Sequence, residues 1–430
     1  NGATGLAYTT AYLDNGHARW QAVDYFAHQT NFRLDRTLGG LKHEFILSAE
    51  YTDHRVASGG YATTNSGRYN CKSTAGAGAS NSFCLLNPDG SVVANLNSLA
   101  GRSYKTTAKT QDWRVKSLGL AAMDTVDLTD RWTVFGGLRA DHYKLTLDVL
   151  SGTGVGDHGS ESTLYNGHLG VSYKLDARSI VYASVATAED INGGEADSGT
   201  SAGYGGYIIS SARAGQAKPE KSTNFELGAK WNLLGETLLA TAAAFQTTKS
   251  DVMEGAEGSG ATGYTPDGTF NSGKNRVRGI EFGLTGNVTE DFTVQAGVAF
   301  MKSKILESKV SQARVGKPLS NFADRTFSVQ GKYQITEALS LGATIRHESS
   351  RCGGQPDTAA GYTGNLCSQP VPSFTVYDLF GAYRFNKKLN LRVNLLNAGD
   401  KDYYTAVYRS GAFLYKGDAR ALRAALEYEF

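Results

Sequence analysis

The stretch Ala419-Arg420-Ala421-Leu422-Arg423-Ala424-Ala425-Leu426-Glu427-Tyr428-Glu429-Phe430 decides how the chain is read. From Leu422 the even positions are Leu422, Ala424, Leu426, Tyr428 and Phe430. The odd positions are Ala421, Arg423, Ala425, Glu427 and Glu429. One face is apolar and finishes on two aromatic rings; the other carries charge. A period of two sends successive side chains to opposite faces of a strand, so this is a strand with one dry and one wet face.

The same alternation recurs upstream. Leu389, Leu391, Val393 and Leu395 alternate with Asn390, Arg392 and Asn394. Leu169, Val171, Tyr173 and Leu175 alternate with His168, Gly170, Ser172 and Lys174, and Leu339, Leu341, Ala343 and Ile345 with Ser340, Gly342, Thr344 and Arg346. Very short turns, such as Gly39-Gly40, Thr289-Glu290 and Thr336-Glu337, take turns with long polar connections. On this rhythm sixteen strands are expected: 5–14, 21–37, 42–57, 104–126, 131–148, 161–175, 179–190, 218–233, 237–253, 274–287, 291–306, 320–335, 338–350, 372–385, 389–397 and 419–430. Short turns on one side and long loops on the other describe an all-β, antiparallel up-and-down transmembrane β-barrel.

Composition agrees. The chain has 430 residues, with 51 Gly and 23 Tyr against 7 Pro and 3 Met, which suits long strands, glycine-containing loops and aromatic belts. No run approaches the ~18 apolar residues of a membrane helix, so a membrane span would have to be a closed barrel. Trp132, Tyr173, Trp231, Phe292, Tyr333 and Phe385 all lie beside short turns. Amphipathic rings prefer the membrane interface, so they are expected to form one girdle, on the periplasmic side. The net charge of +2 gives no reason to expect a nucleic-acid partner. No Ser/His/Asp arrangement or acid pair suggests an enzyme, and no metal-ligand spacing is present. Asn1 follows no basic region or apolar core, so the chain is expected to be mature, trimmed or partial.

Four cysteines fall into two close pairs, Cys71/Cys84 and Cys352/Cys367, inside Gly/Ser/Asn-rich connections. Two local disulfides in an oxidising compartment are expected.

Several stretches resemble the barrel of TonB-dependent siderophore receptors, and the closing strand resembles the C-terminal signature of bacterial outer-membrane barrels. The clearest is Lys218-Pro219-Glu220-Lys221-Ser222-Thr223-Asn224-Phe225-Glu226-Leu227-Gly228-Ala229-Lys230-Trp231. Gly137-Leu138-Arg139-Ala140-Asp141-His142-Tyr143, Asn275-Arg276-Val277-Arg278-Gly279-Ile280-Glu281, Gly316-Lys317-Pro318-Leu319-Ser320-Asn321-Phe322-Ala323 and Asn394-Leu395-Leu396-Asn397 with Tyr403-Tyr404 are similar in the same order. Tyr408-Arg409-Ser410-Gly411-Ala412-Phe413-Leu414-Tyr415-Lys416-Gly417-Asp418-Ala419-Arg420 looks most like catecholate receptors of the Fiu type.

The resemblance implies a bacterial outer-membrane receptor that transports ferric siderophores. It implies TonB as the energy-coupling partner, acting through a plug domain, and lipid and lipopolysaccharide as surroundings. Iron would arrive chelated, with no resident cofactor. Family barrels have about twenty-two strands, so residues 1–430 are expected to be one domain, the C-terminal portion of such a barrel, lacking the plug and an even number of strands, about six. Anionic, flat-ringed iron complexes suit cationic and aromatic loop residues. The candidates are Arg68, Tyr69, Tyr204, Tyr207, Arg213, Arg314, Arg351, Tyr408, Arg409, Phe413 and Tyr415. The competing reading is a sixteen-stranded diffusion porin.

Overall fold

The structure, a computed structural model, describes residues 10–12, 19–65, 82–93, 102–152, 154–191, 194, 218–253, 271–309, 312–354, 361–364, 366–407 and 414–430. Fifteen strands pair in chain order as one antiparallel sheet. They are β1 (Arg19–Leu38), β2 (Leu41–Asn65), β3 (Arg102–Asp127), β4 (Trp132–Val149), β5 (Gly156–Asp176), β6 (Ser179–Asp190), β7 (Glu220–Leu233) and β8 (Leu238–Met253). The series continues with β9 (Asn271–Asn287), β10 (Phe292–Glu307), β11 (Arg325–Gln334), β12 (Leu339–Glu348), β13 (Phe374–Asn386), β14 (Leu389–Leu396) and β15 (Ala421–Tyr428).

Of the expected strand 5–14, the described residues Thr10–Tyr12 are not part of this sheet. Thr10–Tyr12 pairs instead with Ser82–Cys84 as a small separate ribbon, so an alternating apolar run here marks a loop ribbon rather than a wall strand. With fifteen strands, β1 and β15 point the same way. The expectation of an even number of further strands rested on strand 5–14 and is withdrawn with it.

The short turns have a repeated chemistry. The hydroxyls of Thr129, Thr289 and Thr336 accept the amides of Trp132, Phe292 and Leu339, each at 3.0 Å. The Asn386 side chain accepts the Lys388 amide at 2.9 Å in the same manner. Gly39 and Gly40 take φ of 58° and 83°, the left-handed pair that a two-residue hairpin needs to match strand twist.

Register assigns the faces. Leu422, Ala424, Leu426 and Tyr428 sit opposite Leu395, Val393, Leu391 and Leu389. Following the ladder, the same face collects Leu379 and Tyr383, Leu341 and Ile345, Val329 and Tyr333, Phe292 and Val298, and Ile280 and Phe282. It is apolar and open: Leu138, Leu227 and Leu422 are 76%, 63% and 71% exposed. An apolar face of this extent is the lipid-facing wall. The expected girdle lies on it, with Trp132 against Tyr173 at 4.6 Å and Phe292 against Tyr333 at 6.4 Å.

The other face is polar. Arg139 bonds Asp141 at 2.7 Å and reaches Glu50 at 3.4 Å, Arg33 pairs with Glu44 at 2.8 Å, and Arg392 pairs with Glu427. The Arg139–Asp141 pair lies within β4, and the other three join different strands, as expected of a barrel interior. Aromatic rings also lie flat over inward glycines there. A Cβ at Gly170 would come 2.2 Å from the Phe135 ring, and one at Gly228 2.5 Å from Tyr182. Glycine at these points keeps the bulky rings against the wall.

A tilted strand crosses a membrane in ~9–11 residues. β2 and β3 have 25 and 26 residues, so their far halves stand outside. There the faces exchange character. Beyond Tyr51, Leu118 and Ala140, the outward side carries Asp53, Lys116, Arg114 and Lys144. The inward side becomes apolar: Val56, Trp113, Tyr143, Leu145, Leu147, Val149 and Leu164 form a buried cluster.

Candidate functional site

The long-loop end of the sheet gathers the groups available to a ligand. Three connections meet there. The first joins β10 to β11 and holds a short 3-10 turn at Gln312–Arg314. The second joins β12 to β13 as two small ribbons, Arg351–Cys352 with Pro370–Val371 and Tyr362–Thr363 with Leu366–Cys367. The third joins β14 to β15 through the hairpin Tyr404–Val407 with Leu414–Lys416.

Asn321 ties all three together. Its amide donates to the Cys352 carbonyl at 2.7 Å. Its side-chain nitrogen donates to the carbonyls of Gly354 at 2.6 Å and Val407 at 3.2 Å. Its φ of 55° is left-handed, a region asparagine tolerates better than most residues. The Gly361 amide donates to the Ser320 hydroxyl at 3.1 Å. Tyr362 packs with Phe322 and Val277 against the buried Ile305 and Leu319, and this burial holds its phenol above the ordinary value. At the root of the third connection, the Asn397 side chain donates to the carbonyls of Lys401 and Asp418 at 2.9 and 3.0 Å. Tyr403 packs against Phe374 with the rings tilted, their centroids 4.7 Å apart. The connections are therefore a braced platform, and Ile305, on the inward side, places the platform against the inner wall.

Asn321→Ala removes two side-chain hydrogen bonds and leaves two carbonyls to find new partners. We expect a local loss of about 1–3 kcal/mol. Hydrogen exchange should quicken in 349–373 and 397–407 together, while β9 and β10 keep their protection. Quickening confined to one connection would deny Asn321 this bracing role.

The Cys352–Cys367 disulfide is present. Cys84 is also disulfide-bonded; Cys71 lies outside the described residues. Of the candidate ligand residues, three are described. Arg351 is engaged structurally: its guanidinium pairs with Glu348 at 2.6 Å and donates to the Thr405 carbonyl, joining the second and third connections. Arg314 is half-buried at the end of the 3-10 turn. Tyr415 is exposed on the hairpin. Arg68, Tyr69, Tyr204, Tyr207, Arg213, Tyr408, Arg409 and Phe413 lie outside the described residues.

Sequence reading missed Asn321 and Asn397 as braces, because nothing local marks an asparagine that bonds loops distant in sequence. It also missed the apolar cluster of the outer halves, whose signal was available. Along β4 the apolar residues, the inward Phe135 apart, occupy even positions up to Ala140 and odd positions from Tyr143 to Val149.

An antiparallel up-and-down sheet with a lipid-facing apolar face, a polar interior and braced outer connections defines an outer-membrane β-barrel protein. The family model "TonB dependent receptor-like, beta-barrel" matches residues 1–398, and the chain belongs to that family of transport receptors. A relative, the probable TonB-dependent receptor BfrD of Bordetella pertussis, is 30% identical across 99% of this chain and 55% of its own length. The catecholate siderophore receptor Fiu of Escherichia coli K12 is 28% identical over 71% of this chain and 40% of its own. Among solved structures, the siderophore receptor PiuA from Acinetobacter baumannii has a similar fold, with a TM-score of 0.75 at 22% identity, covering 95% of this chain and 56% of that one. The chain thus spans about half the length of the curated relatives it matches.

Proposed function

We propose that the protein containing this chain is an outer-membrane receptor and transporter for ferric siderophores, of the catecholate class, energised by TonB through a plug domain that the barrel surrounds. The observation that carries this reading is the receptor-barrel family match over residues 1–398. Residues 1–430 are read as a portion of a barrel of about twenty-two strands, of which the described residues supply fifteen. The iron complex is cargo, chelated on arrival, and the chain supplies wall and mouth. Cationic and aromatic loop residues suit an anionic, flat-ringed complex. The porin reading loses its basis with the strand count, and the family is one of transport receptors.

The test is uptake and binding by the intact receptor in cells with and without TonB, offering a ferric catecholate and a ferric hydroxamate. Catecholate uptake that requires TonB is the expected result. TonB-independent flux of small solutes would support the porin, and preference for the hydroxamate would remove the catecholate assignment. Alanine at Arg213 and Arg409 together should weaken ferric-catecholate binding by about tenfold or more, since each charge-assisted contact contributes roughly 1.5–3 kcal/mol.

A further inference from the structure

The inner wall of β11–β15 carries more cations than its acids can neutralise. Lys332, Arg346, Arg384, Arg392 and Arg423 face inward, on the side opposite the apolar ladder. The acids within these strands are already engaged. Glu348 pairs with Arg351, Asp378 with Arg346 at 3.2 Å, and Glu427 with Arg392. Arg384 donates to the Glu337 carbonyl at 2.9 Å. Lys332 and Arg423 are exposed and have no ion pair or side-chain hydrogen bond among the described residues.

These two cations stand in one row of the ladder, with an aromatic ring at its centre. Lys332, Gly342, Phe380, Asn394 and Arg423 follow one another from β11 to β15. The Phe380 ring lies over Gly342, where a Cβ would come 2.3 Å from it. Glycine lets the ring lie down on the wall, half-buried, with its lumen side open. Neighbouring strands are about 4.8 Å apart, so each cation stands about 10 Å along the sheet from the ring. Phe135 lies over Gly170 in the same way, but its row holds acids. Glu44 is two strands to one side of it and Glu226 three to the other.

An open ring between two unpaired cations fits an anion that is itself flat-ringed. Offset stacking on Phe380 would hold the ring, and Arg423 and Lys332 would give charge-assisted hydrogen bonds to its oxygens. A cleft wall of one sign also concentrates the counter-ion that enters it. The row lies deeper than the loops. Along β13, Phe380 stands between Phe374, which packs on Tyr403 at the root of the platform, and the girdle residue Phe385. That places it in the middle of the wall.

We propose that Phe380, Arg423 and Lys332 form a transit site on the inner wall for the anionic, flat-ringed iron complex, so that its passage from mouth to periplasm runs along β11–β15. The inference rests on the siderophore reading and adds the route and the residues that line it.

The test uses the intact receptor in cells and the iron(III) complex of a hexadentate tris-catecholate. Surface binding is measured in energy-depleted cells and initial uptake in energised ones, at matched surface display. Lys332→Gln/Arg423→Gln should slow uptake by about tenfold, the effect of a lost charge-assisted contact. Phe380→Leu should slow it by about threefold or more through lost stacking, and Phe380→Tyr should restore it. Surface binding should be unchanged in all three, and Phe135→Leu should leave uptake unchanged. Seating of the plug is read separately, by exclusion of a glycopeptide antibiotic. Slowed uptake together with entry of that antibiotic would assign the cations to the plug and overturn the proposal. Parental uptake in both the double variant and Phe380→Leu would overturn it and leave the siderophore reading intact, as would equal slowing by Phe135→Leu. Absence of binding and uptake in the parent would remove the siderophore reading, and the proposal with it.

Discussion

Leu227→Arg should cost the folded barrel about 2–4 kcal/mol in a bilayer, the price of a cation near the midplane of a lipid-facing wall. Leu227 is 63% exposed and flanked in register by Ala183 and Ala244. No neighbouring acid can pair with the guanidinium from those positions. It lies four residues from Trp231, in the middle of the apolar band rather than at its edge, so snorkelling to water is hard. The inward-facing control is Gln295→Arg, which puts the same charge into a polar interior and should change stability by less than about 0.5 kcal/mol. Urea unfolding of the two variants in vesicles separates the faces. Equal destabilisation would mean that the register-based assignment of the lipid side is wrong.

Leu147→Ala should cost about 2–5 kcal/mol through lost burial and a residual cavity. Leu147 is fully buried, with Trp113 opposite it in register and Leu145 and Val149 beside it on the same face. This cluster sits beyond the membrane and has no lipid to help fill a void. The loss should therefore appear as loosening of the outer halves of β2–β5, with the membrane band intact. Hydrogen exchange resolves the two zones. Uniform acceleration along the strands, or none, would contradict a separate outer core. Ile191, which follows β6, packs on the same cluster, so the start of the β6–β7 connection should loosen with it.

Much of this fold can be read from sequence because a sheet between lipid and water imposes period two on every strand. Leu389 to Leu395 and Leu422 to Tyr428 announce their faces separately, and the structure pairs them dry side to dry side. The turns were legible for a related reason: threonine, asparagine and glycine at fixed places satisfy the few amides that a tight reversal leaves open. What failed was strand 5–14. Alternation there is real, but a ribbon with Ser82–Cys84 uses it as well as a wall would. Local pattern cannot say which partner a strand finds. The site was less legible still. Arg351 has the chemistry of an anion ligand, and the structure applies that chemistry to Glu348 and Thr405. Asn321 has no pattern of its own, and its importance comes from connections that meet only after folding.

The exchange of faces along β2–β5 also acts as a depth gauge. Sinking the protein by one two-residue rung, about 5 Å along the membrane normal for a tilted strand, would carry Asp53, Lys116 and His142 into hydrocarbon. Rising by the same step would lift Tyr51 and Leu118 into water. Both displacements are opposed, so the barrel floats at one fixed draught. The braced connections then stand at a set distance above the lipid, and a ligand diffusing over the cell surface meets a rim whose elevation does not drift.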